Sequence, residues 1–129
     1  QGREDALFAG QPWRGPQFCW HADQVSRLPD GATLLASSAA CKVQAFCVGL
    51  RSYGVQYHPE WSASTIRREI ETGAAQVQAA GESAQALLSD TQRFGPASER
   101  LARRFFDAVS TVLMPADRVN RGIAKDLHH

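Results

Sequence analysis

The first half of the chain alternates short apolar runs with turn residues, which is the pattern of β-strands. Leu28-Pro29-Asp30-Gly31 has turn chemistry, with a proline that fixes φ and a glycine that is free to take a positive φ. A second turn at residues 49–52 predicts that the strands on either side of it form a hairpin. The candidate strands are residues 17–20, 33–36, 43–48 and 53–57.

In the second half, apolar positions recur at helical spacing. Ser62 or Ser64 can cap a first helix that runs to about Thr72 and carries Ile66 and Ile70 on one face. This is the first of three helices that the apolar pattern predicts after the strands. Short strands followed by helices indicate an α/β fold.

Two further apolar stripes predict the second and third helices. Gly81 weakens the second helix, the pair Gly95-Pro96 is predicted to separate the two, and Met114-Pro115 is predicted to end the third. The stripe of the second helix is Val77, Ala80, Ala84, Leu87 and Leu88, and that of the third is Leu101, Phe105, Ala108, Val109, Val112 and Leu113. Residues 116–129 form a polar tail.

Composition narrows the class of protein. The chain has 129 residues, 43% of them hydrophobic, and a formal net charge of +1, as expected for one globular domain or part of one. A net charge this close to zero does not indicate binding to nucleic acid or to an anionic membrane. No apolar run approaches the roughly 20 residues that span a bilayer. Three cysteines without metal-site spacing fit free thiols in a reducing compartment. We therefore expect a cytoplasmic protein with no metal or cofactor.

The tripeptide His58-Pro59-Glu60 at the end of the last candidate strand is the strongest chemical signal. Residues two apart in a strand project to the same side, so His58 and Glu60 can meet. A carboxylate beside an imidazole fixes its tautomer and stabilises the charged ring, which suits a general base. Pro59 has no N–H and fits a place where strand pairing stops. The alternative interpretation is an ordinary surface ion pair.

An ordered set of motifs gives the chain a family resemblance. The stretch WHADQVSRLPDGATLLASSAACKVQAFCVGLRSYGVQYHPEW holds an H-x-D-x-V segment, then L-P-x-G-A, L-A-S, Q-A-F and G-x-Q-x-H-P-E. In this order and spacing the set resembles the C-terminal half of a class I glutamine amidotransferase domain. AAGESAQALLSDTQRF and ERLARRFFDAV resemble the tail of its standalone, GMP synthase-like subgroup. The resemblance runs from about Asp5 to Leu113.

The resemblance implies a three-layer, flavodoxin-like domain with a cysteine-based glutaminase site. In that family a cysteine attacks the side-chain amide of glutamine, a histidine moves the protons and a glutamate holds the histidine. His58 and Glu60 match the last two positions. The substrate segment would be Trp20, His21, Ala22 and Asp23, acting through main-chain groups more than side chains. The side chain of His21 itself is more consistent with a structural role.

The chain departs from the family at the nucleophile, which the family places in an upstream G-x-C-x-G elbow. Cys19 lies between Phe18 and Trp20, Cys41 lies in a strand connection, and Cys47 lies within a candidate strand. We therefore expect residues 1–115 to be the C-terminal portion of the domain. The partner that completes it would be the N-terminal half with the elbow.

The expected function is hydrolysis of glutamine through a Cys-His-Glu triad that delivers ammonia, and the 129 residues alone would be inactive. Two alternatives stay open: a γ-glutamyl amide hydrolase, or a non-catalytic interaction module with the same fold. A synthetase and a second copy of the chain are further partners compatible with the resemblance.

Overall fold

The computed structural model describes residues 5–114 and has an α/β fold, as predicted. Its sheet has three antiparallel strands in the order β1-β2-β3. The strands are β1 Ala32–Ala36, β2 Ala45–Val48 and β3 Ser52–Val55. The helices are α1 Ala63–Thr72, α2 Ala74–Ala79 and α3 Ala84–Ala108, and a π-helical turn follows at Val109–Leu113. The predicted tail, residues 116–129, lies outside the described residues.

The predicted hairpin is confirmed by the pairing of β2 with β3, and Gly49 takes a positive φ of 62° in the turn between them. Phe46 lies opposite Gly54. A Cβ at Gly54 would lie 2.5 Å from the Phe46 ring, so the ring occupies the space that a side chain would need. Both strands are shorter than the apolar runs predicted, because the regular pairing of β2 with β3 covers only Ala45–Val48 and Ser52–Val55. One more backbone hydrogen bond, from the Gln56 N–H to the carbonyl of Gln44, follows beyond them.

The prediction of a strand at residues 17–20 was wrong. This segment makes one isolated antiparallel bridge, between Cys19 and Tyr57. The backbone N–H of His58 also donates to the carbonyl of Phe18 at 2.9 Å. The pairing is too short to count as a strand, but it fixes the segment beside the chain that leaves β3.

Helix α1 forms as predicted, with Ser62 rather than Ser64 as its N-cap. The Ser62 hydroxyl accepts a hydrogen bond from the Thr65 N–H at 3.2 Å. Ile66 and Ile70 are buried, as their spacing predicts. The helix begins one residue after Ser62, so its position follows directly from that of the His58-Pro59-Glu60 segment just before it.

The division of the later helices was predicted wrongly. The break falls at Gly81, which takes a φ of 80°, and Ser83 then caps α3 by accepting from the Ala86 N–H at 3.3 Å. Pro96 lies inside α3 and does not end it. Proline removes one helical hydrogen bond, but α3 packs against α1. Gly95 is buried there and faces Ala63. This packing keeps Leu87 and Leu88 of the second predicted stripe on the same helix as Leu101 and Phe105 of the third.

Phe105 of α3 joins the core to the end of β3. Its ring lies 6.0 Å from that of Phe8 and 6.5 Å from that of Tyr57, both in edge-on geometry. Leu7 and Ile70 are the largest fully buried side chains among residues 5–114. The core therefore lies directly behind the residue that precedes His58. Within the same residues, no helix is both long and apolar enough to cross a membrane.

We expect Ile70→Ala to lower the free energy of unfolding by about 3 kcal/mol, because Ile70 is fully buried and its truncation leaves a cavity. Leu50→Ala is the control, since Leu50 is 91% exposed and its loss should cost less than about 0.5 kcal/mol. Urea unfolding followed by circular dichroism measures both. Equal effects of the two variants would contradict the core described here.

Burial raises the pKa of Tyr57 to about 12 from 10.0, with a smaller contribution from Cys19. The protonated phenol therefore contributes stability that is fully present below pH 10 and is lost as the pH rises towards 12. Tyr57→Phe removes this group and keeps the ring. Unfolding free energies measured from about pH 9 to about pH 12 should fall more steeply for the wild type than for Tyr57→Phe. Parallel profiles would show that the phenol is not held in this way.

Candidate active site at the end of strand β3

His58 lies where the chain leaves the sheet. Tyr57 bridges to Cys19, and His58 donates its backbone N–H to the carbonyl of Phe18. Pro59 follows and is buried, at a point where no further N–H is needed for pairing. The backbone of His58 is therefore fixed on one side by strand β3 and on the other by residues 18–19.

Both ring nitrogens of His58 have acceptors. Nδ1 lies 2.7 Å from the Oε1 of Glu60, and Nε2 lies 3.0 Å from the carbonyl oxygen of Trp20. A carboxylate and a carbonyl oxygen can only accept, so both contacts are satisfied together only when both nitrogens carry a proton. The imidazolium is the form that a general base reaches after it takes up a proton, and in that form both contacts of the ring can be made at once.

Trp61 was not identified as a site residue from the sequence. Its ring stacks on that of His58 with a centroid separation of 4.1 Å and an interplanar angle of 17°. It also contacts the ring of Phe18 at 5.6 Å. An aromatic face attracts a cationic ring and restricts its rotation. The signal that could have revealed this residue was an aromatic side chain directly after the H-P-E motif.

The predicted substrate segment lies beside His58. Trp20 is partly buried, and its carbonyl is the partner of His58 Nε2. Its indole packs over Gly73 at the end of α1, where a Cβ would lie 2.7 Å from the ring. His21, Ala22 and Asp23 are exposed. The structure thus brings Trp20 into contact with the His58 ring and leaves the next three residues open to solvent.

A groove of about 790 Å³ runs between this segment and helices α1 to α3. Trp20, His21 and Ala22 line it, whereas His58 and Glu60 do not. Glu60 and Trp61 instead border a shallower depression of about 330 Å³. Within residues 5–114, the predicted substrate segment therefore contacts His58 through the Trp20 carbonyl, whereas Glu60 borders a separate concavity.

None of the three cysteines has the surroundings of an activated thiol. Cys41 and Cys47 are buried. Cys19 is exposed as a residue, but desolvation of its sulfur raises the pKa of the thiol, and a hydrogen bond from the amide of Gln44 at 3.3 Å only partly opposes this. The ring of His58 bonds to Glu60 and Trp20 rather than to any of these sulfurs. No group of His, Cys, Asp and Glu suited to a metal ion occurs in residues 5–114.

The chain belongs to the class I glutamine amidotransferase family, whose sequence model matches residues 1–74. This match includes the segment around Trp20, the whole sheet, the H-P-E motif and α1. It confirms the family that the ordered motifs indicate. The short strands, the hairpin and α1 lie within this match and accordingly belong to a flavodoxin-like α/β domain.

Several known proteins are similar to part of the chain. A glutamine-hydrolyzing GMP synthase subunit from Methanoregula boonei is 49% identical over 59 residues, which are 45% of this chain and 32% of that protein. The glutamine-hydrolyzing GMP synthase of Syntrophomonas wolfei is 40% identical over 68 residues, 52% of this chain and 13% of that protein. Gamma-glutamyl peptidase 3 of Arabidopsis thaliana is 48% identical over 46 residues, 36% of this chain and 18% of that protein. The matches therefore span a third or less of these relatives.

We expect thiol-directed glutamine analogues not to label Cys19, Cys41 or Cys47 selectively in residues 1–129. The two buried thiols are inaccessible, and the raised pKa of Cys19 keeps its thiol protonated near neutral pH. Mass spectrometry of the treated protein measures the label at each cysteine, with iodoacetamide as the unspecific control. Stoichiometric labelling that glutamine prevents would place the nucleophile within this chain.

Proposed function

We propose that the chain supplies the proton-transfer part of a glutaminase, with His58 as general base and acid and Glu60 as the group that orients it. The observation that carries this proposal is the 2.7 Å hydrogen bond between His58 Nδ1 and Glu60 Oε1 at a strand end. Since Glu60 occupies Nδ1, the nitrogen left for proton transfer is Nε2. The ring of Trp61 stacks on that of His58 at 4.1 Å and supports its orientation.

In the proposed reaction, a cysteine thiol passes its proton to His58 Nε2, and its sulfur forms a bond to the side-chain amide carbon of glutamine. His58 then gives the proton to the amide nitrogen, the C–N bond breaks, and ammonia leaves. Water attacks the γ-glutamyl thioester with His58 again as base, so that glutamate and the free thiol form. For this cycle, Nε2 exchanges the carbonyl of Trp20 for the incoming thiol.

The nucleophile in this proposal comes from outside these 129 residues. Two cysteines are buried, the third has a raised pKa, and the chain has no G-x-C-x-G elbow. We therefore propose that residues 1–115 form the C-terminal portion of the amidotransferase domain and that an N-terminal portion supplies the elbow. Without it, the base and its partner alone should have negligible activity.

Glutamine would be held by the backbone of Trp20, His21, Ala22 and Asp23. The exposure of the last three residues and the contact of the first with His58 support this assignment. The M. boonei relative is named as a subunit of GMP synthase. By that analogy, the ammonia would pass to a partner synthetase.

The second candidate is hydrolysis of a γ-glutamyl amide other than glutamine. The similarity to gamma-glutamyl peptidase 3 favours it. The same base and thioester chemistry would serve both reactions, so the substrate decides between them. Comparison of kcat/KM for glutamine and for γ-glutamyl dipeptides, in the full-length protein, distinguishes the two candidates.

In the full-length protein we expect His58→Ala to lower kcat for glutamate release by about 10³-fold, because general acid–base catalysis contributes roughly 10²–10⁴-fold. Glu60→Gln should cost less, about 10–100-fold, since the amide still occupies the place beside Nδ1. Glu71→Gln is the matched control, as Glu71 is exposed on α1. Turnover by His58→Ala at the wild-type rate would refute the proposed role.

A further inference from the structure

Gln56 lies directly after strand β3 and two residues before His58. Its backbone N–H donates to the carbonyl of Gln44 at 2.8 Å, so pairing between the chains of β2 and β3 continues through this residue. Its side chain is partly buried and points to the irregular segment that precedes β1, as its hydrogen bonds show. The position of its amide is thus set by the sheet.

The side-chain amide of Gln56 makes two opposed hydrogen bonds to that segment. Oε1 accepts from the N–H of Val25 at 2.8 Å, and Nε2 donates to the carbonyl of Asp23 at 3.3 Å. The planar amide thus bonds to the carbonyl of one residue and to the N–H of the second residue after it. A neighbouring β-strand would make the same two hydrogen bonds with its backbone. The sulfur of buried Cys41 lies 3.8 Å from the same Oε1 and limits its movement.

The second attachment of this segment is the backbone pairing at its start, where Cys19 bridges to Tyr57 and the His58 N–H donates to the carbonyl of Phe18. This pairing does not involve Nε2, so it persists when Nε2 exchanges the Trp20 carbonyl for the thiol. Gln56 and the backbone of residues 57–58 therefore hold residues 18–19 and 23–25 from the same strand end. His21 and Ala22 lie between the two attachments and are exposed. The backbone conformation of residues 20–25 is fixed by these two attachments, because the segment itself has neither helix nor strand.

We propose that Gln56 is a positioning residue that holds the backbone of residues 20–25 in the conformation that binds glutamine. This inference rests on the proposed glutaminase function. If the inference holds, two neighbouring residues have different roles: Gln56 positions the substrate segment, whereas His58 transfers protons. Loss of the Gln56 amide should therefore weaken substrate binding and leave the chemical step largely intact.

The test uses the full-length protein with Gln56→Met, which keeps the length of the side chain and removes both hydrogen bonds. Gln78→Met is the matched control, because Gln78 is exposed on α2. We expect KM for glutamine to rise about tenfold or more in Gln56→Met, with kcat within about threefold of the wild type. Hydrogen exchange at the amide of Val25 should become about fivefold faster or more. KM, kcat and the exchange rate at Val25 should all stay at their wild-type values in Gln78→Met.

Gln56→Glu is a second variant that keeps the test valid if Gln56→Met does not fold. Its carboxylate keeps the shape of the side chain and the acceptor for the Val25 N–H, but it loses the donor to the Asp23 carbonyl. We expect slow exchange at Val25 and a raised KM in this variant. An unchanged KM in both Gln56 variants, or a decrease confined to kcat, would overturn the inference about Gln56. Glutamate release by the wild type would still uphold the proposed function in that case. A wild-type protein that releases no glutamate would overturn both.

Discussion

The geometry of the candidate site depends on a short length of backbone pairing between residues 18–19 and 57–58. The bridge from Cys19 to Tyr57 and the hydrogen bond from the His58 N–H to Phe18 join an irregular segment to the end of the sheet. Everything that faces His58 from this segment, including the Trp20 carbonyl, takes its position from that pairing. Because the bonds are between backbone atoms, they constrain the site whatever side chains occupy the segment.

Aromatic packing then removes most of the remaining freedom of the ring. Trp61 stacks on His58 and also contacts Phe18, whose ring is nearly parallel to that of Trp20 at 5.9 Å. Trp20 in turn packs over Gly73, where any side chain would collide with it. The ring of His58 is therefore connected through aromatic contacts to the end of α1. Such support matters for a base, since the contribution of acid–base catalysis depends on accurate placement of the proton acceptor.

The sequence predicted the features that depend on local spacing. The contact of His58 with Glu60 was predicted from their spacing, although it forms across a turn at residues 59–60 rather than along a strand. The cap of α1 follows from a serine before an apolar stripe. It failed where tertiary packing decides. Pro96 has the properties of a helix breaker, yet α3 continues because Gly95 lets it pack closely on α1. Gln56 was missed because its partners, Asp23 and Val25, are distant in sequence. Trp61 was missed because its stacking on His58 depends on the turn at residues 59–60.

The exposure of the proposed acid–base pair, His58 and Glu60, limits its effect on stability and catalysis when it acts alone. The side chains of His58 and Glu60 are 27% and 53% exposed, and an ion pair in water of that kind contributes about 0–1 kcal/mol to stability. The same pair is far more effective once water is excluded, because electrostatic interactions strengthen in a medium of low dielectric constant. A structural element that brings a nucleophile against Nε2 would also cover this surface. Completion of the proposed triad and removal of water from the site would then be one event.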